Sequence, residues 1–388
     1  MGPKPQFSRQ ASEPLYLQVA SYLRDRIADG TYPPSSVLPS EKDLTSLLGV
    51  SRPTVRHALK ILTEEGLIDR LPGRGSFVSE TRRTSLRQRT GNLALIGPEM
   101  RDSFLARIVT GAEHVASQND YHLILCNAGN QICVEQRYLK ELWEEGKVDG
   151  FILLPADSPQ SHQLLCEFFR AGVPTVLVDR FFEDLALPSV VSDNVQGGYL
   201  MTRHLIGLGH RRIGFFTRPN LYVTSVAQRL QGYRRALEEA GLAYDSSLVF
   251  QGLLPFMSEI QVLERSSPRL AEYERMAIED FFNRPDPPTA VFACNDLVAV
   301  QVMEVCRKLG LRVPDDMAVV GFDDDAMASL LTPPLTTVRQ QTHEMGTRAA
   351  AMLLDVLNDK PIERQVDLPV ELVVRQSCGG SRQERTSF

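Results

Sequence analysis

The sequence predicts two different folds in one chain: a small α+β head over residues 1–80 and a two-lobed α/β body with parallel sheets over residues 92–382. Two observations lead to this prediction. The head holds three amphipathic helical segments followed by a glycine-rich hairpin. From Asn92 onward, short apolar runs alternate with helical segments, which is typical of parallel strands covered by helices on both faces.

Length and composition are those of a globular protein of two or three domains. Of the 388 residues, 43% are hydrophobic and 23% charged, which are ordinary values. No run of 18 apolar residues exists and the N-terminus lacks the apolar stretch of a signal peptide, so we expect a cytoplasmic protein with no membrane partner. The six cysteines form no CxxC pair, and we expect reduced thiols in the core.

Charge divides the chain in the same place as the fold pattern. Residues 1–90 carry 14 Lys and Arg against 9 Asp and Glu, a net charge of +5, whereas the remainder has a net charge of −11. A basic head on an acidic body indicates that only the head meets a polyanion.

The head reads as three helices in succession. An apolar stripe predicts the first helix over Pro14 to Ile27. Ser40, with Asp43 in capping-box position, begins the second, which ends at Leu48-Gly49. Ser51 is then placed to cap the third helix after a tight turn.

The third helix has one apolar and one cationic face. Val55, Ala58, Leu59 and Leu62 fall on the inner side, and the outer side repeats a cation every four residues at Arg52, Arg56 and Lys60. Thr54 and His57 lie beside that row. An arginine fork suits guanine or phosphate, although a solvated surface would look similar. The hairpin tip Pro72-Gly-Arg-Gly75 can approach a phosphate closely, and Arg74 could enter a minor groove.

Four segments of the head resemble the DNA-binding domain of GntR-type bacterial regulators: Leu-Pro-Ser-Glu-Lys from Leu38, Leu-Gly-Val-Ser-Arg from Leu48, Glu-Gly-Leu-Ile from Glu65, and Gly-Arg-Gly-Ser-Phe-Val from Gly73. The resemblance implies a winged helix-turn-helix fold. It also implies DNA contact, or support for it, at Ser40, Glu41, Ser51, Arg52, Thr54, Arg56, Arg74 and Gly75. Lys42 stands where the family often has arginine, which favours a phosphate contact there.

After an arginine-rich linker over residues 81–91, the body shows seven apolar runs that predict strands. They lie at residues 93–96, 122–126, 150–154, 175–178, 212–216, 290–293 and 317–320. This number exceeds one comfortable sheet, so two lobes are expected. We place the first at about residues 92–191 and 338–366, and the second at about 192–337 and 367–382.

Polar residues follow several of these strands and should converge, because ligands of open α/β folds bind outside the carboxyl ends of the strands. Asp, Asn and Arg around one cleft suit the neighbouring hydroxyls of a sugar. Helix capping is the alternative for each acidic residue, above all for Asp296. The residues concerned are Asp102, Asp179, Arg180, Asn295, Asp296 and Asp323.

The body resembles the effector domain of LacI/GalR regulators, which is similar to periplasmic sugar-binding proteins. The motifs include Val178-Asp-Arg180, Arg229-Leu-x-Gly-Tyr233, Cys294-Asn-Asp296 and Val320-Gly-Phe-Asp-Asp324. The resemblance implies that Arg229, Asn295 and Asp323 hold ligand hydroxyls, with Asp179 and Arg180 at the same cleft. The loop that contains Asp102 is more polar than usual, and residues 252–276 are longer, so Phe256 and Tyr273 are only candidates for a stacking aromatic.

These patterns predict a transcription regulator and not an enzyme. No phosphate-binding, dinucleotide-binding or hydrolase motif and no metal-ligand spacing of histidines is present, so no cofactor or metal is expected. We expect a homodimeric repressor of carbohydrate-utilisation genes that binds a pseudo-palindromic double-stranded DNA operator under control of a small-molecule effector, a sugar. Head and body together resemble arabinose-responsive regulators. A transport-type binding protein and a carbohydrate enzyme are the alternatives; the former would need a signal peptide, the latter turnover.

Overall fold

The computed structural model describes residues 14–380 apart from short gaps at 29–30, 34–35, 65–66, 72–74, 79–88, 99–102, 157–158 and 254–267. The chain divides into two compact units, residues 1–89 with 166–174 and residues 90–165 with 175–388. The predicted fold class is confirmed: the head is a winged helix-turn-helix and the body a two-lobed α/β structure with parallel sheets.

The head consists of three helices and an antiparallel hairpin, with bounds α1 Leu15–Ala28, α2 Glu41–Leu48, α3 Arg52–Glu64, β1 Ile68–Leu71 and β2 Gly75–Val78. The Oγ of Ser40 accepts a hydrogen bond from the backbone N–H of Asp43 (3.2 Å), and Gly49 ends α2 at φ 67°, as their sequence positions predict. The apolar face of α3 is buried in the head core.

The first lobe of the body is built on a six-stranded parallel sheet in the order β13-β7-β6-β5-β3-β4. Its strands are β3 Asn92–Gly97, β4 His122–Asn127, β5 Gly150–Leu153, β6 Thr175–Val178, β7 Ser189–Ser192 and β13 Gln365–Leu368. Helices in this part of the chain are α4 Ser103–Gln118, α5 Ile132–Glu144, α6 Pro159–Arg170 and α11 Thr342–Leu357.

The second lobe is built on a four-stranded parallel sheet in the order β11-β10-β8-β9. Its strands are β8 Ile213–Phe216, β9 Val249–Phe250, β10 Ala290–Ala293 and β11 Ala318–Val320, and β12 Thr337–Arg339 pairs with β14 Glu371–Val373 in a separate antiparallel ribbon. The helices are α7 Asn194–Gly207, α8 Thr224–Glu239, α9 Pro268–Phe282 and α10 Asp296–Lys308.

All seven predicted strands of the body are present, but the described part of the body has five more that were not predicted: β7, β9, β12, β13 and β14. Serine flanks β7 at both ends, and Asp367 interrupts β13, so neither shows a continuous apolar run. Both are paired in the six-stranded sheet, which makes tertiary pairing the reason that they form.

Two glycines bring α7 and α8 into unusually close contact. A Cβ built on Gly198 would collide with the backbone carbonyl of Arg229, and one on Gly232 with that of Val195. Any other residue at either position would push the helices apart. This close contact therefore fixes the position of Arg229, which lies on α8, relative to α7.

The six cysteines are free thiols, as expected, but they are not all in the core. Cys126, Cys294, Cys306 and Cys378 are buried, whereas Cys133 is exposed on α5 and Cys166 is half-buried. The expectation of a core position was therefore wrong for Cys133, because the outer face of an amphipathic helix can carry a small apolar residue at little cost. Within the described ranges, no helix is both long and apolar enough to cross a membrane.

Candidate functional sites: a basic helix and an interlobe cleft

The outer face of α3 presents its arginines to solvent. The side chains of Arg52 and Arg56 are 65% and 62% exposed, and Lys60 on the same face is exposed as well. A row of accessible cations on a helix is the electrostatic arrangement that major-groove recognition requires.

A single carboxylate organises this face. Oε2 of Glu41 accepts hydrogen bonds from Nε of Arg52 and a terminal nitrogen of Arg56, both at 3.3 Å, and Oε1 accepts one at 2.6 Å from Arg70 on β1. The arginines, Arg56 foremost, hold the pKa of Glu41 below its usual range. Each guanidinium has five N–H donors, and this contact uses one donor of each arginine while orienting its side chain. Sequence reasoning missed Arg70, because nothing local marks a strand residue as a partner of α2.

The other predicted head residues have mostly local roles in the structure. Ser51 and Thr54 share a hydroxyl hydrogen bond of 2.7 Å at the start of α3. The ring of His57 stacks on Tyr16 of α1, with 3.9 Å between centroids. Lys42 is exposed, and Gly75 opens β2 at φ 111°, a conformation that favours glycine. Arg74 lies outside the described residues.

In the body, the strand ends predicted to converge meet in a cleft between the two sheets. The first lobe contributes residues after β3, β5 and β6, and the second contributes residues after β8, β10 and β11. Of the predicted effector residues, five line this cleft: Asp179, Arg180, Arg229, Asn295 and Asp323. Asp102 lies outside the described residues.

Arg229 lies at the floor of the cleft and is 4% exposed. Its Nε donates to Oδ1 of Asn194 (2.9 Å), and a terminal nitrogen donates to the carbonyl of Cys294 (2.6 Å). The guanidinium lies 3.8 Å above the ring centroid of Phe322. These contacts fix the plane of the guanidinium before any ligand binds.

Asp323 faces Arg229, with 3.7 Å between a carboxylate oxygen and the nearest guanidinium nitrogen. Burial raises the pKa of Asp323 well above its usual range, while Arg229 and a hydrogen bond from Gln340 (2.6 Å) oppose that rise. Asp179 and Asp323 both adopt positive φ, 65° and 123°. Such backbone strain outside glycine concentrates at functional sites.

Arg180 completes the first-lobe side of the cleft. Its Nε donates to Oδ2 of the adjacent Asp179 at 3.2 Å. Burial and the neighbouring charge of Arg229 lower the pKa of Arg180 to about 10, so it stays charged near neutral pH.

Sequence reasoning missed Arg218, a third arginine of the cleft, which is buried like Arg229. It donates to Glu274 on α9 and to Gln301 on α10, both at 3.2 Å. The signal was present, because Thr217-Arg218 directly follows β8 just as Asp179-Arg180 follows β6. The rule that selected the other strand ends selects this one too.

Helix capping falls on Asn295 and not on Asp296. The Oδ1 of Asn295 accepts from the backbone N–H of Val298 (2.9 Å). Asp296 is the buried first residue of α10, and its carboxylate accepts from Oγ1 of Thr337 (2.6 Å) and the backbone N–H of Asp325 (2.8 Å). Burial raises the pKa of Asp296 to about 7. The carboxylate of Asp296 therefore links the start of α10 to β12 and to the loop after β11. Asn295 uses its amide oxygen as the cap, and its amide nitrogen is not part of that capping bond.

Among the described residues that line the cleft, the aromatic one is Phe104, which sequence reasoning did not propose. It is half-buried in the first turn of α4 and lines the cleft. Tyr273 is 55% exposed and is absent from the described lining, so its candidacy as the stacking residue was wrong. Phe256 lies outside the described residues. No group of three potential ligands suitable for a metal ion occurs in the described part of the chain.

A winged helix-turn-helix with an exposed arginine row, joined to a two-lobed body with a polar cleft, defines a ligand-responsive transcription regulator. Two family models match the chain: the bacterial regulatory proteins of the gntR family over residues 15–78, and the periplasmic binding protein-like domain over residues 202–378.

Similar proteins point the same way. The arabinose metabolism transcriptional repressor of Geobacillus stearothermophilus is 31% identical, over 95% of this chain and 99% of its own length. Among solved structures, the regulator CcpA of Lactococcus lactis has a TM-score of 0.65 at 25% identity, over 74% of this chain and 99% of its own. A CelR–cellobiose complex has a TM-score of 0.62 at 29% identity, over 88% and 100%. The chain belongs to the family of bacterial transcriptional repressors that join a GntR-type head to a periplasmic-binding-protein-like effector domain.

Proposed function

We propose that this repressor binds an uncharged sugar between the lobes of its body and that the sugar controls the affinity of the head for operators of carbohydrate-utilisation genes. The observation that carries the proposal is the pairing of charge within the cleft. Arg180 pairs with Asp179, Arg218 with Glu274 and Arg229 with Asp323.

This pairing favours a neutral ligand rich in hydroxyl groups. A sugar acid or sugar phosphate would meet carboxylates that already accompany each arginine, and a cationic ligand would meet the arginines. A hydroxyl both donates and accepts, so it can bridge a carboxylate and a guanidinium without adding charge. Phe104 adds one apolar ring to this polar surface, an arrangement common in ligand sites.

Both lobes would hold the sugar, and they already touch beside the cleft. The backbone N–H of Phe181 donates to Oγ1 of Thr224 (3.0 Å), and that of Ala326 donates to Oγ of Ser103 (3.3 Å). A ligand that binds the closed arrangement more tightly than an open one shifts the population toward closure. We place the crossings of the chain between the lobes at about residues 191–194, 337–340 and 366–369, at the ends of β7, β12 and β13.

We further propose that the protein acts as a homodimer whose two heads bind the half-sites of a pseudo-palindromic operator. A two-fold symmetric reader matches a two-fold symmetric sequence, and half-site spacing then depends on the distance between heads. We assign this DNA contact, or the support for it, to ten residues of the head: Ser40, Glu41, Lys42, Ser51, Arg52, Thr54, Arg56, His57, Arg74 and Gly75. In this proposal the cleft binds its ligand and does not convert it to a product.

Matched pairs of sugars test the effector class. Thermal unfolding of the full chain is measured with arabinose, galactose and cellobiose, and in parallel with galacturonate and galactose phosphate. We expect one or more of the neutral sugars to raise the melting temperature and to change operator binding in a gel-shift titration, with the sugar recovered unaltered. Stabilisation by galacturonate alone would contradict an uncharged effector, and a chemically altered sugar would favour an enzyme.

A further inference from the structure

The chain crosses between the two sheets of the body at several points, and a buried glutamine lies at one of them. Gln340 is 3% exposed and stands between β12, the ribbon strand beside the second sheet, and α11, which packs on α4 and the first sheet. Ser192, 1% exposed, ends β7 just before α7 and occupies a second crossing.

The side chain of Gln340 connects these two crossings to the cleft. Its Oε1 accepts a hydrogen bond from Oγ of Ser192 (2.6 Å), and its Nε2 donates to Oδ1 of Asp323 (2.6 Å). In this orientation the amide accepts from the serine hydroxyl and donates to the carboxylate, so both of its polar atoms are satisfied. The backbone N–H of Asp323 also donates to the carbonyl of Val338 in β12 (2.8 Å), so backbone and side chain of Asp323 are both tied to the same crossing.

We propose that Gln340 is a positioning residue that holds Asp323 in the rotamer required for the effector and ties that carboxylate to the crossings at Ser192 and β12. This inference rests on the proposed function of the cleft. Oδ1 of Asp323 is engaged by Gln340 and faces Arg229, which leaves Oδ2 for a sugar hydroxyl. When the cleft closes, a movement of Asp323 is then transmitted through these hydrogen bonds to Ser192 and to β12, two points where the chain crosses between the lobes.

The charged and titratable groups around Asp323, together with the amide donor of Gln340, set the pKa of its carboxyl group. Those that act on it are Arg229, Arg180, Asp179, Asp296 and the thiol of Cys294. The two neighbouring aspartates oppose ionisation of Asp323, whereas the Nε2–H of Gln340 favours it. Removing that donor should raise the pKa of Asp323 further and move the loss of sugar binding on acidification to a higher pH.

A double-mutant cycle tests the contact without any sugar. The variants are Gln340→Met, Asp323→Ala and the double variant, with Gln341→Met as the matched control, because Gln341 is the exposed neighbour. We expect Gln340→Met to lower the melting temperature of the full chain clearly more in the parent background than in the Asp323→Ala background. Additive shifts would overturn the proposal.

Calorimetry with the neutral sugar that stabilises the parent chain, arabinose being tried first, tests the role of the contact. Gln340→Met should weaken binding by roughly tenfold or more and shift its acid midpoint upward, while Gln341→Met should change neither. Equal affinity and an unchanged pH profile would sink this inference alone. If the parent binds none of the sugars, the proposed function fails, and the thermal cycle still decides the contact.

Substitution of the serine tests the connection to the crossings. Ser192→Ala keeps the Gln340–Asp323 bond, so the acid midpoint of sugar binding should stay in place, whereas the change in operator affinity caused by the sugar should shrink. If the sugar changes operator affinity as much in Ser192→Ala as in the parent, the proposed connection from Gln340 to the crossing at Ser192 is wrong.

Discussion

The head and the body both place arginines beside carboxylates, but they do so at opposite levels of burial. In the head, one carboxylate, Glu41, gathers three arginines, and two of these are mostly exposed. In the cleft, each arginine has its own acid, and the side chains of Arg218 and Arg229 are 5% exposed.

This difference separates two kinds of recognition. Exposed cations in excess over carboxylates attract a polyanion from a distance and are screened by salt. Buried and individually paired cations have little net charge to offer, so they recognise a ligand through the direction of hydrogen bonds. The same residue type therefore serves, as proposed, DNA in one region and a neutral sugar in the other.

The largest expected effect is on the buried side. Arg229→Met keeps the length of the side chain against Phe322 but removes the charge opposite Asp323 and the donor to Cys294. We expect the free energy of unfolding of the body to fall by roughly 3–5 kcal/mol, because a buried carboxylate loses its partner. Sugar binding should be lost, whereas the arginine row on α3 of the head is not altered by this substitution.

Denaturant unfolding and calorimetry measure both consequences, and Arg229→Lys is the matched control that keeps the charge without the fork. It should fall between the parent and Arg229→Met in stability. A Met variant as stable as the parent, with intact sugar binding, would show that Arg229 is not the anchor of the cleft.

The exposed side should respond differently. Arg52→Ala and Arg56→Ala should each weaken operator binding by roughly 1–3 kcal/mol if the side chain reads a base with two donors, with little change in stability. Gel-shift titrations at several salt concentrations separate a base contact from a phosphate contact, since losing a phosphate contact lowers the salt slope by about one.

Arg26→Ala on α1 is the control, since it removes an exposed arginine from outside the predicted contact surface. Operator affinity unchanged in both α3 variants would refute the assignment of that face.

The third expected effect is a pH dependence within the body. The folded pKa of Asp296 is about 7, above the ordinary value near 3.9, so its contribution to stability is present at low pH and is lost as pH rises toward 7. Raising the pH from about 4 to 8 should therefore lower the melting temperature of the parent more than that of Asp296→Asn.

Asp280→Asn, at an exposed position on α9, serves as the control and should follow the parent at every pH. Parallel pH profiles for the parent and Asp296→Asn would mean that Asp296 is ionised in the folded protein throughout this range.

Much of this molecule can be predicted from local patterns. The caps at Ser40 and Ser51, the two faces of α3 and all seven apolar strands follow from spacing and residue type, because each depends on neighbours within a few positions. The rule that parallel strands end at a common edge brought Asp179, Arg180, Asn295 and Asp323 to one cleft, whereas Arg229, on α8, was expected there from the family resemblance alone.

The sequence by itself determined the fold class, the family and the elements on which the functional residues lie. Only the tertiary structure decided their partners: Arg70 beside Glu41, Arg218 in the cleft, Asn295 as the cap, and Gln340 between Ser192 and Asp323. The physical reason is distance along the chain. Ser192 and Gln340 are 148 residues apart and meet only because two crossings of a two-lobed fold lie side by side.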